Sequence, residues 1–319
     1  MHGKVLDVTY AMVLGCNGQD GSFLSRRLLD DGVGTVVGVG IEREQRFGYD
    51  PTRFKYISLD LAGESAPLRA LLRETRPQRI FHVAAVHASA ESTLYEPVFE
   101  TMLSVNVRTV HTILEHLRNE DGLARLVYAS SAKVFGSPLP EVISETTPRM
   151  SSCLYGITKN TAGDLIRHYR SAHRVAASQL YLFNHESELR PQGFFIPKLV
   201  RCLKAAAHGE HYAERFHTLD FYCDWGSADE YMGIMIELLE RVPAEDFVVA
   251  TGTVVHARTL TARLFAKLGV PMQSHTNETV EQTEARPYAV DTSKLQSVGL
   301  APNVTIEELI ERLAFESDS

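Results

Sequence analysis

Cysteine is scarce. The four residues, Cys16, Cys153, Cys202 and Cys223, lie far apart with no C-x-x-C pair. This excludes the disulfide framework of small secreted domains and predicts reduced thiols, a cytoplasmic location and no metal site. Long apolar runs are missing too: none approaches the ~20 residues that span a bilayer. The stretch Val8–Leu14 is too broken for a signal-peptide core, so no membrane partner is expected. Nor is there a basic excess, because 32 Lys+Arg against 40 Asp+Glu leave a net charge of −8. That balance disfavours nucleic acid and anionic lipid as partners, although one local basic pocket remains compatible with a phosphate. Glycine (21) and proline (13) are too few for a fibrous or low-complexity chain, and no internal repeat is found. What remains, 319 residues with 44% hydrophobic and 23% charged, is enough for a full-sized core.

Short β-branched and aliphatic runs alternate with amphipathic stretches. Strands are expected at Val8–Leu14, Thr35–Val39, Tyr56–Leu61, Ile80–Ala85, Leu126–Ala129 and Ser178–Phe183. Helices are expected at Ser22–Asp31, Ala66–Thr75, Tyr95–Arg118, Cys153–Arg174, Ile196–His208 and Ala228–Arg241. Strands apolar on both faces and separated by helices imply a parallel sheet covered on each side. The expected fold is therefore α/β, a Rossmann-type doubly wound parallel sheet with a smaller mixed α/β lobe at its C-terminal edge. Residues 1–184 with roughly 217–243 form the dinucleotide domain in this reading, and roughly 185–216 with 244–319 the substrate lobe. A capping box, Thr305 with Glu308, opens a last helix carrying Ile306, Leu309, Ile310 and Leu313 on one face.

Directly after the first strand stands Gly15-Cys16-Asn17-Gly18-Gln19-Asp20-Gly21. A strand turning straight into a helix exposes unpaired N–H groups and a partial positive charge, a seat for pyrophosphate, and glycine admits the close approach. The placement predicts a dinucleotide. The acid usual at the end of the second strand is replaced by Gly40, followed by Ile41-Glu42-Arg43. Arg43 suits a 2′-phosphate and inclines the reading to NADP; Glu42 is compatible with NAD, and both also suit a solvated loop.

Tyr155 and Lys159 stand at i and i+4, adjacent on one helical face, with Ser130 and Ser131 ending the strand before them. An ammonium beside a phenol favours the phenolate, and a hydroxyl from Ser131 can hold a substrate oxygen. Carbonyl–alcohol interconversion uses these three groups.

The glycine loop, Ser131 and the Tyr155/Lys159 pair resemble the extended short-chain dehydrogenase/reductases that act on nucleotide sugars. The strings Leu182-Phe183-Asn184-His185-Glu186-Ser187, Asp224-Trp225-Gly226 and Arg286-Pro287 make the chain most similar to the GDP-mannose 4,6-dehydratase family. The resemblance implies cofactor contacts at Gly15 through Gly21, at Asp60 and Leu61, at Ala84 and Ala85, and at Tyr155, Lys159, His185 and Arg190. It implies substrate diphosphate contacts at Asn184 and Arg286, and a homo-oligomer, dimer or tetramer. Trp225 is also explained by packing alone.

Two departures from that family pattern stand out. Where the dehydratases carry Thr, a polar or acidic residue and then Glu, this chain reads Ser131, Ala132, Lys133. The family's Glu removes the C5 proton so that water leaves from C6, a task for a base of moderate pKa, whereas an ordinary lysine titrates at about 10.4. Cys223 replaces an Arg associated with substrate binding. The leading expectation is therefore hydride transfer at C4 of a nucleotide-activated hexose, as a ketoreductase or epimerase, with Ser131, Tyr155, Lys159 and Lys133 as catalytic residues. Lys133 serves as an epimerisation acid/base in that scheme, or else only offsets diphosphate charge. Alternatives are a dehydratase with a displaced base, for which Glu141, Glu145 and Glu186 are the nearest acids, and a redox-inactive dinucleotide sensor.

Overall fold

The computed structural model describes residues 10–86, 96–119 and 124–316. Seven strands form the central sheet: β1 (Tyr10–Leu14), β2 (Thr35–Gly40), β3 (Phe54–Ser58), β4 (Arg79–His82), β5 (Arg125–Ala129), β6 (Ala177–Leu182) and β7 (Phe247–Val249). Their order is β7-β6-β5-β4-β1-β2-β3, and β1 through β6 pair in parallel. The order reverses between β1 and β4, the crevice where ligands of open α/β sheets bind. The first six strands are those expected from the apolar runs; β7, only three residues long, carries too short a signal.

Helices α1 (Gln19–Asp30), α2 (Ser65–Thr75), α3 (Glu96–Met102), α4 (Thr109–Asn119) and α5 (Leu154–His173) follow the strands. Met12, Leu14, Ile80, Leu126, Val110 and Ile166 belong to one continuous core between the sheet and α2, α4 and α5. Three expectations need correction. The single helix expected over Tyr95–Arg118 is interrupted by a π-helical segment, Leu103–Arg108; Tyr95 itself lies outside the described residues, as does Val8 of the first strand. The strand expected to run to Ala85 stops at His82, because Val83 and Ala84 both turn their N–H groups onto the Leu14 carbonyl, at 3.1 and 2.7 Å. The strand expected at Tyr56–Leu61 is displaced to Phe54–Ser58 and is not apolar on both faces, since it is the sheet edge.

Two compact units divide the chain. Met1–Val134, Arg149–Tyr181 and Met232–Phe247 form the first; Phe135–Pro148, Leu182–Tyr231 and Val248–Ser319 form the second. In the second, strands Asn184–Glu186, Tyr222–Ser227 and Val254–His256 make a three-stranded sheet. Helices α6 (Phe195–Ala207), α8 (Ala257–Lys267) and α10 (Ile306–Phe315) enclose a separate core; α7 (Ala228–Arg241) and α9 (Ser293–Ser297) complete the order. The capping box forms as expected: Glu308 N–H donates to Thr305 Oγ1 at 3.3 Å, and Thr305 N–H to Glu308 Oε2 at 3.0 Å.

Trp225 is a core residue, 2% exposed, stacked on Phe195 at 5.4 Å and edge-on to Phe221 at 5.7 Å. Truncating a buried aromatic removes its transfer free energy and leaves a cavity, so Trp225→Ala is expected to lower the unfolding free energy by about 3–5 kcal/mol. Urea titration checks this; a loss under about 1 kcal/mol contradicts the packing role.

Candidate active site

The glycine loop leaves β1 in a backbone conformation open to glycine, with Gly15 at φ +94°. A Cβ there would lie 2.6 Å from the Ala84 nitrogen, and one at Gly21 only 2.1 Å from the Gly15 carbonyl oxygen, so the first turn of α1 packs directly on the loop. Gly18 is the N-cap of α1 and brings no side chain to the start of the helix. Bare backbone and the positive end of a helix dipole fit a pyrophosphate.

Within the loop, two side chains are engaged by the protein itself. Cys16 is buried, and burial, reinforced by the charge of Glu42, pushes its thiol up to about 12. Asn17 acts as a strap: Nδ2 donates to Glu42 Oε2 and to the Glu44 carbonyl, each at 3.0 Å, and Oδ1 accepts from Arg46 N–H at 3.0 Å. Asp60 sits just past β3, its Oδ1 accepting from Ala62 N–H at 2.8 Å, with Leu61 beside it. Ala84 and Ala85 follow β4. The loop ends expected to meet the dinucleotide thus all follow the C-terminal ends of their strands. Arg43 is exposed.

Tyr155 and Lys159 are brought together as the helical spacing requires. Lys159 Nζ lies 5.5 Å from the Tyr155 ring centroid and 4.5 Å from that of Tyr128, and donates to the Ala129 carbonyl at 2.7 Å. Lys159 is 1% exposed and burial lowers its ammonium from 10.5 to about 7, opposed in part by the charge of Asp20. One donor of the ammonium goes to Ala129, and a pair of ribose hydroxyls is the kind of acceptor that the other two suit.

Ser131 begins the turn after β5, where its Oγ accepts from Lys133 N–H at 3.2 Å and keeps its own proton to donate. Lys133 lies in the 3-10 segment Ala132–Phe135 and is exposed. Gly156 explains how this turn reaches α5: a Cβ there would stand 2.6 Å from the Lys133 carbonyl oxygen. Cys153 caps α5, its Sγ accepting from Gly156 N–H at 3.4 Å.

The remaining expected residues belong to the second unit. Asn184, His185 and Glu186 pair in parallel with Trp225, Gly226 and Ser227, so two strings far apart in sequence are neighbouring strands. Asn184 and Arg286 are exposed. His185 Nδ1–H donates to the Phe183 carbonyl at 2.7 Å. Arg190 is paired with Glu186, Nε to Oε2 at 3.4 Å, and its Cζ lies 3.9 Å from the Phe194 ring centroid. Cys223 is buried, and beside it Asp224 accepts from Thr251 N–H and Oγ1, each at 2.9 Å. Of the three alternative acids, Glu186 is 2% exposed in its ion pair, Glu145 accepts from Val248 N–H at 2.8 Å, and Glu141 is exposed.

Two residues behind the Tyr/Lys pair escaped the sequence reading. Asn106, fully buried in the π segment, donates through Nδ2 to Thr158 Oγ1 at 3.0 Å and accepts from Tyr128 OH at 3.3 Å through its carbonyl. Thr158 in turn donates to the Tyr155 carbonyl at 2.8 Å. His82 is fully buried, and burial, with the Lys159 charge, drops it to about 3, so it stands neutral beside that ammonium. An Asn on the apolar side of a helix and a His inside a buried strand were the signals available.

The sheet order, the glycine loop and the buried Tyr/Lys pair together define an extended short-chain dehydrogenase/reductase. A family model described as GDP-mannose 4,6 dehydratase matches residues 12–313, and the chain belongs to that family of enzymes. The chain is 28% identical over 280 residues to a GDP-mannose 4,6-dehydratase of Sinorhizobium fredii, covering 84% of this chain and 78% of that one. It is 26% identical to GDP-mannose 4,6 dehydratase 1 of Arabidopsis thaliana, over 96% and 89% of the two chains. Among solved structures, a dTDP-glucose 4,6-dehydratase from Bacillus anthracis in complex with NAD superposes with a TM-score of 0.81 at 16% identity, covering 97% of each chain. A UDP-glucose 4-epimerase of Thermus thermophilus, also in complex with NAD, gives 0.78 at 20% identity, over 98% and 100%.

Proposed function

We propose that this chain uses NAD(P) to move hydride at C4 of a nucleotide-activated hexose or deoxyhexose, GDP-linked by its kinship, as a ketoreductase or epimerase. The observation that carries the reading is a buried Tyr155/Lys159 pair next to a turn that offers Ser131 and Lys133 but no acid. The first unit takes the dinucleotide through Gly15–Gly21, Asp60, Leu61, Ala84 and Ala85. Asn184 and Arg286 are assigned to the substrate diphosphate, where a fixed guanidinium and an amide suit the charge, and His185 and Arg190 to the cofactor.

Bound NAD(P) supplies the hydride acceptor. Ser131 donates from Oγ to the C4 oxygen, and Tyr155 Oη receives that oxygen's proton as the C4 hydrogen departs with its electron pair. Lys159 holds the nicotinamide ribose and stabilises negative charge on the phenol oxygen. In the reverse direction, with reduced coenzyme as the hydride source, Tyr155 gives the proton and a C4 ketone becomes an alcohol; oxidation of an alcohol followed by return of the hydride to the opposite face of the same carbon gives an epimer. Lys133, exposed on the same turn, is assigned to the substrate, where its ammonium offsets the diphosphate charge.

A second reading, the 4,6-dehydratase, is favoured by the family match and by the relatives' names. It requires a C5 base, and Glu145 and Glu186 are already held by a backbone amide and by Arg190. Incubating pure protein with GDP-mannose and each coenzyme separates the two by mass spectrometry. Exchange or oxidation at C4 without loss of water is expected; a 4-keto-6-deoxy product formed at an ordinary turnover of about 1 per second or faster overturns the preference for reductase or epimerase.

A further inference from the structure

We propose that Glu42 makes this chain selective for the dinucleotide without a 2′-phosphate, NAD over NADP; the inference rests on the dinucleotide reading above. In doubly wound sheets the adenosine ribose lies at the end of the second strand, and an acid about 20 residues past the glycine loop takes its 2′-hydroxyl. Here β2 ends in Gly40, which offers no side chain, but the space beside it is filled. A Cβ on Gly40 would stand 3.1 Å from Glu42 Oε2 and 2.7 Å from the Tyr56 hydroxyl oxygen. The Glu42 carboxylate therefore folds back over the strand end where an acid at the strand terminus would ordinarily project.

Two hydrogen bonds hold the residue there, one at the carboxylate and one at its carbonyl. Asn17, inside the glycine loop, donates to Oε2 at 3.0 Å. Tyr56 OH donates to the Glu42 carbonyl at 2.7 Å, and the same Asn17 amide reaches the Tyr56 oxygen at 3.3 Å. Among the described residues no group donates to Oε1, which leaves an acceptor for a ribose hydroxyl. A phosphate at that hydroxyl would meet a like charge anchored to the loop that binds the pyrophosphate. Both Glu42 and Arg43 are exposed, but Glu42 is tied to the glycine loop through Asn17.

The test is calorimetric titration of the full-length protein with NAD⁺ and with NADP⁺ at one ionic strength. NAD⁺ is expected to bind at least about tenfold more tightly, and Glu42→Gln and Glu42→Ala to narrow or invert that ratio by about tenfold. Glutamine keeps the acceptor for Asn17 and removes only the charge, and the side chain is exposed, so neither variant disturbs the core. NADP⁺ binding as tightly as NAD⁺, or more tightly, overturns the selectivity and leaves the dinucleotide reading standing. A preference for NAD⁺ that both variants retain overturns the assignment to Glu42. Heat from neither coenzyme overturns the dinucleotide reading itself, and this inference with it.

Discussion

Tyr155→Phe is expected to lower turnover by about 10²- to 10⁴-fold, the usual contribution of a positioned proton-transfer group, while leaving coenzyme uptake intact. The change deletes one hydroxyl and keeps the ring that lies 5.5 Å from Lys159 Nζ, so α5 and its buried face persist. The loss falls on kcat rather than on affinity, because the proton is exchanged only as C4 changes oxidation state. Steady-state kinetics with calorimetric titration of NAD(P) separates the two. Unchanged turnover removes Tyr155 from the chemistry and takes the proposed mechanism with it; a matching loss of coenzyme binding reassigns it to a positioning role.

Lys159→Met is expected to abolish turnover and, at the same time, to stabilise the protein. The ammonium titrates near 7 in the folded chain against an ordinary 10.5, because it is buried. Between those values the unfolded chain binds the extra proton, so stability rises with pH across that window, and below it the folded state bears the full cost of a buried charge. Replacing that charge with an apolar side chain of similar length is expected to gain about 1–4 kcal/mol near about pH 6, less the hydrogen bond lost at the Ala129 carbonyl, with the gain fading towards about pH 10. Urea unfolding of both proteins across that range is the measurement. A variant less stable than its parent at the acid end shows that the Ala129 bond and the charge of Asp20 outweigh desolvation. The expected trade, stability given up to keep an ammonium beside a phenol, is common where a buried polar group serves chemistry.

How far the site was legible depends on what each residue reports locally. Tyr155 and Lys159 could be paired from spacing because a helix places i and i+4 on one face whatever surrounds it. The glycine loop was readable for a similar reason, since a strand-to-helix turn this tight excludes side chains at Gly15 and Gly21. The strings at Asn184–Ser187 and Asp224–Gly226 could be recognised as related to a family, yet nothing local said that they are paired strands. Residues identical in type behaved differently: Cys16 is turned into the core, whereas Cys153 caps the helix of the Tyr/Lys pair. The π segment at Leu103–Arg108 was invisible because the apolar positions on either side of it continue a helical rhythm.

The order of strands and helices, the capped start of α10, the glycine loop and the spacing of the phenol and ammonium followed from the chain itself, because each is set by contacts within a turn or two. Tertiary structure decided the rest. The folded-back carboxylate of Glu42 depends on Asn17 and Tyr56, the support of Thr158 on Asn106, and the lowered titration of Lys159 on enclosure beside Tyr128 and neutral His82. Those partners lie many residues away, and burial, charge and hydrogen bonding between them exist only once the sheet has brought its strand ends together.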